Sequence, residues 1–160
     1  MSIVTAQVVR YCAEECSWQQ SGEVSVADMV DAWRYAHRHR FKPITVRDVL
    51  ALGRLVEPRK NRGGFRKAGV RVGWDVKMHH DLVPAALDDL LERQPVSSEA
   101  EATEWFRQYE EIHPFRDGNG RTGTLLYNWL RDTLPRPVHV PNLWEDPRRE
   151  VAALQAQEPR

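Results

Sequence analysis

At 160 residues the chain has the length of a single domain with one sizeable core. Its 23 basic and 23 acidic side chains cancel, so nothing general attracts it to a polyanion or an anionic membrane. No apolar run approaches a membrane span, and Arg10, Glu14 and Glu15 interrupt the N-terminus before a signal-peptide core could form. The expected compartment is therefore the cytoplasm, with neither a membrane nor a nucleic acid as direct partner.

Two amphipathic helices are predicted first. One runs from about Thr5 to Ser17, with Val8, Tyr11, Cys12 and Cys16 on a stripe. The other runs from about Val26 to His39, with Val26, Met29, Val30, Trp33 and Ala36 on another. Gly22 separates them, and Ser25 with Asp28 suits the N-cap of the second. Cys12 and Cys16 are the only cysteines and share one helix face, so they read as small buried apolar residues rather than a redox or metal pair. The basic run from Arg34 to Arg40 reads as a solvated helix end. Pro43 closes that segment, and Thr45 with Asp48 caps a third helix in which Val46, Val49, Leu50 and Leu55 or Val56 face inward, ending at Pro58.

Residues 59–64 are too polar and glycine-rich for an element. Phe65 to Val72 then alternates large apolar with charged residues around Ala68-Gly69, which predicts a short β-hairpin. Such a hairpin must lean on the helical core. Its open edge could receive an incoming peptide, or it could simply cover the core, since charged edges also discourage pairing. His79 and His80 fall in a loop from Gly73 to Asp81. Adjacent residues on a regular backbone point apart and no further ligand completes a tetrahedral set, so they are expected to be surface residues rather than a metal site. Ala86, Leu87, Leu90 and Leu91 mark a fourth helix from Pro84 to near Gln94-Pro95. Ser98 with Glu101 forms a capping box for a fifth, carrying Ala102, Trp105, Phe106, Tyr109 and Ile112 and ending before His113 and Pro114. Leu125, Leu126, Trp129 and Leu130 give one face of a sixth, stopped by Leu134 to Pro137. In the tail, Val138, Val140, Leu143 and Trp144 could pack back, and beyond Asp146 a charged stretch follows. Most of the six tryptophans sit at core-phased positions.

The stretch between the last two helices reads His-Pro-Phe-Arg-Asp-Gly-Asn-Gly-Arg-Thr-Gly, from His113 to Gly123. Glycines flanking Asn119 after an acid let the backbone turn its N–H groups toward one point, and the helix that follows adds its positive dipole end there. One imidazole, one carboxylate (Asp117) and one guanidinium (Arg121) converge on this turn, which makes a phosphate site with a base beside it. Phe115, apolar between working positions, should anchor the turn in the core. Taken alone His113 could merely cap its helix; joined to this run it reads as catalytic.

His113, Phe115, Asp117, Gly118, Asn119, Gly120 and Arg121 supply, in order and without gaps, the core signature of Fic domains. The chain resembles that family most broadly from about Thr45 to Pro141. The resemblance implies a mainly α, Fic-like helical bundle with a short β-hairpin flap over the site. It would be one domain over 1–160, with a core of about 45–141, N-terminal helices of about 5–40 and a tail of 142–160. It implies a protein adenylyltransferase that moves AMP from ATP to a Ser, Thr or Tyr hydroxyl of a target, with the role of a toxin or effector open to it. His113 would be the base, Asp117 would hold Mg²⁺, Gly118, Asn119 and Gly120 would form the anion nest, and Arg121 would meet the β-phosphate. The flap, with Phe65, Arg66, Val70, Arg71 and Val72, would dock the target protein.

Two features depart from the family pattern. A second arginine, which ordinarily holds the γ-phosphate, is replaced by Thr124. The Doc branch also lacks it and acts as a kinase, but carries lysine in the place of Gly120, so Gly120 argues for nucleotidyl transfer. A Doc-like kinase and a weakly catalytic binding module stay as alternatives. No inhibitory Ser/Thr-x-x-x-Glu-Gly/Asn segment is found, which leaves room for a separate antitoxin as partner.

Overall fold

A computed structural model describes residues 3–19 and 25–141; the Gly22 linker and the tail residues Leu143 and Trp144 lie outside them. Among the described residues six α-helices form the body: α1 (Ala6–Trp18), α2 (Val26–His39), α3 (Val46–Val56), α4 (Val83–Leu91), α5 (Glu99–Ile112) and α6 (Asn119–Leu130). A two-stranded antiparallel hairpin, β1 (Arg71–Val72) and β2 (Asp75–Val76), and a 3-10 turn over His80–Leu82 connect α3 to α4.

The helix starts follow from side-chain chemistry. Thr5, Ser25, Thr45 and Ser98 each accept a backbone N–H of the first turn, satisfying a donor that has no partner within the helix. The capping box is complete at Thr45, where the Asp48 carboxylate accepts the Thr45 N–H at 2.9 Å. At Ser98 it is half formed, because Glu101 reaches back to the N–H of Ser97 at 2.8 Å instead.

One large cluster of buried side chains joins all six helices, including Val8 and Tyr11 of α1 and Met29 and Trp33 of α2, so the N-terminal helices belong to the same core as the rest. Helix α6 is its axis. The expectation of a single apolar face is corrected: residues Arg121 to Trp129 are all buried, because α2, α3 and α5 pack around the helix on several sides. Its polar side chains are satisfied internally. Asn128, for example, donates to the Tyr11 hydroxyl and the Val138 carbonyl and accepts from the Val138 N–H. Buried tryptophans pin segment ends in the same way: the indole N–H of Trp33 reaches the Leu134 carbonyl at 2.8 Å, that of Trp105 the Leu90 carbonyl at 3.0 Å and that of Trp129 the Lys42 carbonyl at 3.0 Å. Trp74, at the hairpin tip, is exposed instead.

The hairpin exists but sits further along the chain than the alternation suggests. Its turn is Gly73-Trp74, with Gly73 at φ 60°, and not Ala68-Gly69. Residues 65–68 are held down by the body and cannot form a free strand. Phe65 packs its ring 5.5 Å from that of Phe115, and Arg66 is buried.

Candidate active site

Helix α5 ends at Ile112, and His113 takes the left-handed conformation that closes it, with φ 49° and its N–H on the Tyr109 carbonyl at 2.9 Å. This conformation is uncommon for a residue with a side chain and must be imposed by its surroundings. The imposing residue is Arg66. Its guanidinium donates to the carbonyls of His113 (2.6 Å), Ile112 (3.3 Å) and Ala68 (2.9 Å), and also to that of Met78. Its own N–H reaches the Pro114 carbonyl at 2.9 Å. The carbonyls left over at the end of α5 thus meet a buried cation, and the same cation holds the chain just before and just after the hairpin. Arg66 was expected on the target-docking flap; it lies beneath that flap as its fastening.

The turn after His113 is locked by Asn119, whose amide accepts the Phe115 N–H at 2.8 Å and donates to the Phe115 carbonyl at 2.9 Å. Phe115 is fully buried against Gly53 of α3, and a Cβ on Gly53 would collide with its ring. Buried Asn61 adds a second lock by donating to the carbonyls of both Gly53 and Asp117. Gly118, at φ 75°, starts α6 with no side chain capping it. Residues Gly118 to Arg121 line a cleft of about 390 Å³ together with His113, Arg116, Asp117, Gln19 of the α1 end and Val70 to Gly73 of the hairpin. An uncapped helix N-terminus, a carboxylate and an imidazole therefore share one recess.

The electrostatics give each group a definite state. Burial, reinforced by the positive charge of Lys77, pushes the His113 imidazole down to about 4, so it is neutral near pH 7. Its Nδ1 is buried, and a hydrogen bond from the ring to the Glu110 backbone offsets part of that push. Burial works against the charge of Asp117, yet the Lys60 ammonium, the Gly118 N–H and Arg121 outweigh it, and the carboxyl lies below its usual range. Lys60 sits 2.5 Å from one Asp117 oxygen, and the Gly118 N–H 2.7 Å from the other. An ionised, partly exposed oxygen donor of this kind fits Mg²⁺, provided phosphate oxygens or water complete the shell and the exposed lysine gives way. Arg121 is almost fully buried. It pairs with Glu57 at 2.7 Å, donates to the Val56 carbonyl at 3.3 Å and lies 3.7 Å from Asp117, so a buried ion pair occupies the guanidinium that sequence reasoning left for a phosphate.

Several of these contributors were not visible in the sequence. Glu57, Lys60 and Asn61 sit in or next to a stretch that carries no motif. Gln19 comes from more than 90 residues upstream of the turn it touches: a Cβ on Gly120 would collide with its amide. That amide is held by Glu15 at 2.6 Å, and the other oxygen of Glu15 meets His139 at 2.7 Å. Of the expected docking residues, Arg71 and Val72 lie in exposed β1, Val70 borders it, and Phe65 packs on the core. His79 and His80 do not point apart as expected. Their rings stack at 4.3 Å, and with Asp81 they form the one cluster of metal-capable side chains among the described residues. The cluster offers three ligands, and the His79 Nδ1 already accepts the Asp81 N–H at 3.2 Å, so it falls short of the four that a closed tetrahedral site takes.

No curated protein matches the sequence. Among solved structures, a Fic family protein from Desulfovibrio desulfuricans G20 aligns with a TM-score of 0.60 at 20% identity, over 92% of this chain and 52% of that one. The chain thus spans about half the length of that solved relative, and likeness at this identity concerns the fold alone. The Fic/DOC family profile matches residues 43–131, which begin just before α3 and end just after α6 and so enclose the hairpin, the histidine and the turn. The match spans more than half of the sequence, and the chain belongs to the Fic/DOC family.

Proposed function

We propose that the protein is a nucleotidyltransferase that moves AMP from ATP to a hydroxyl of a target protein. The observation that carries this reading is the neutral imidazole of His113 lining the same recess as an uncapped helix N-terminus. With Nδ1 buried, Nε2 is the nitrogen available in the cleft. It takes the proton of the target hydroxyl as that oxygen attacks the α-phosphorus, and the bond from the α-phosphorus to the bridging oxygen breaks. Pyrophosphate leaves with the electron pair, its growing charge met by the N–H groups at the start of α6. Mg²⁺ on Asp117 would neutralise charge between the α- and β-phosphates. Arg121, tied to Glu57, supports the turn and contributes positive potential from below.

An imidazole held near 4 is a weak base in the free enzyme. The negative charge of a bound nucleotide raises its affinity for a proton, so the base becomes stronger as substrate enters. The test is incubation of protein and lysate with ATP labelled at either the α- or the γ-phosphate. Label from the α position should appear on protein and vanish in His113→Ala, with nucleotide binding kept. Retention of γ label instead would assign a Doc-like kinase. Absence of both, with nucleotide still bound, would leave a binding module.

A further inference from the structure

In a chain of zero net charge, the fourteen residues from Arg59 to Val72 hold six cations and no acid. Arg66 is buried in its web of carbonyls and Lys60 pairs with Asp117. Arg59, Arg62, Lys67 and Arg71 remain exposed, as does Arg116 on the active turn, and among the described residues none of these five has a carboxylate within ion-pair distance. The charges surround two adjoining recesses. One is the active cleft. The other, of about 270 Å³, is lined by Lys60, Lys67, Gly69 and Arg116 and shares Val70 and Arg116 with the cleft as a common wall.

The hairpin adds an apolar element. Val72, Trp74 and Val76 are 41%, 88% and 66% exposed, a costly arrangement for a tip that covers nothing. The register also leaves a free edge. Lys77 donates to the Val70 carbonyl and Val72 faces Asp75, so the N–H and C=O of Arg71 point away from β2.

That an extended piece of a target protein docks on this hairpin is what membership of the family implies; beyond that, we infer that the segment this chain receives is acidic and carries an apolar side chain. Backbone groups would pair along Arg71, the apolar residue would cover Trp74, and the acids would meet Lys67, Arg71 and Arg116. The inference rests on the reading of the site as one that modifies a protein. A nucleic acid fits less well. The basic strip is narrow, and the exposed carboxylates of Asp75 and Glu111, which flank Lys77, border it, so a broad polyanion would press against them. A single extended peptide can avoid them.

The test is a binding measurement that needs no nucleotide. The probes are a fluorescent twelve-residue peptide alternating Glu with Leu and Ser, its Gln counterpart, and a single-stranded RNA dodecamer. The acidic peptide should bind about tenfold more tightly than the Gln peptide at low salt, and weaken several-fold as salt rises from about 50 to about 200 mM. The Lys67→Glu/Arg71→Glu protein should lose that preference, Trp74→Ala should weaken both peptides, and Arg34→Glu/Arg38→Glu on α2 should change neither. Equal binding of the two peptides, or indifference to the Lys67/Arg71 reversal, overturns the inference. Tighter binding of the RNA through the same residues also overturns it and assigns the surface to nucleic acid. Label transfer without peptide preference would leave the proposed activity standing and remove only the acidic partner; peptide preference without transfer would do the reverse.

Discussion

Replacing Arg66 by Met keeps a long apolar stem and removes every donor of the guanidinium. Four carbonyls lose a charged partner. Those of Ala68 and Met78 lie on the exposed connection and can turn to water. Those of Ile112 and His113 lie at the buried end of α5 and cannot do so without the helix end opening. An unsatisfied buried polar group costs about 1–3 kcal/mol, so two of them set an expected loss of about 2–6 kcal/mol, part of which is offset because a desolvated charge is also removed. Arg66→Lys, with one charged centre able to reach one or two of the four carbonyls, should lose about half as much. Urea unfolding monitored by far-ultraviolet circular dichroism measures both. Hydrogen exchange adds the spatial readout: amides of residues 70–77 should exchange faster in the Met protein before the helices do, because the hairpin is fastened at both ends through this residue. A loss below about 1 kcal/mol, or unchanged exchange in the hairpin, would refute the account of Arg66 as the joint between the end of α5 and the hairpin.

Gly53→Ala should force the Phe115 ring from its seat and cost about 1–3 kcal/mol, with the turn displaced; the added Phe115→Leu change should recover part of that loss, as thermal unfolding will report. Asp117→Asn should weaken Mn²⁺ binding in the presence of nucleotide by tenfold or more, read by electron paramagnetic resonance, and leave metal-free nucleotide binding within a few-fold of the parent. Stability should also follow pH in two opposed ways. The His113 pKa is depressed from the ordinary 6.5 of an imidazole to about 4, so its neutral burial favours folding at higher pH and is lost as pH falls from 6.5 through 4, by roughly 3 kcal/mol in full. Glu110 is pushed up by burial from 4.5 to about 7, so its contribution is present below 4.5 and lost as pH rises through 7. Between about 4.5 and 6.5 the two slopes oppose each other, and stability should be nearly flat there, then drop below 4.5. Glu110→Gln should turn that plateau into a rise with pH; a plateau that persists in the variant would show that neither His113 nor Glu110 is shifted, and a rise already present in the parent would show that the glutamate titrates normally.

The helices were legible in the sequence because caps and periodicity are local: Thr45 with Asp48, and Trp33 with Ala36, announce themselves within one or two turns. The active turn was legible for the same reason, since its glycines, acid and histidine are consecutive. The hairpin was misplaced by a few residues because alternation is weak over eight positions, and because Phe65 and Arg66 are claimed by partners about 50 residues away, Phe115 and the end of α5. Arg121 looked free because its carboxylate partner, Glu57, lies 64 residues earlier at the end of another helix. What sequence cannot display is this kind of long-range pairing, in which a side chain suited to a ligand also holds the scaffold.

Gln19 and its latch through Glu15 to His139 have a practical meaning for anyone who trims the protein. The family-matched stretch starts at residue 43 and stops at residue 131, so it keeps the histidine and the turn but discards the amide resting on Gly120 and both members of the latch. A fragment cut to those limits would present a wider mouth, with Gly120 uncovered and Tyr11 no longer beside Asn128. Binding measured on such a fragment would describe a different recess from the one that Gln19, Glu15 and His139 close over.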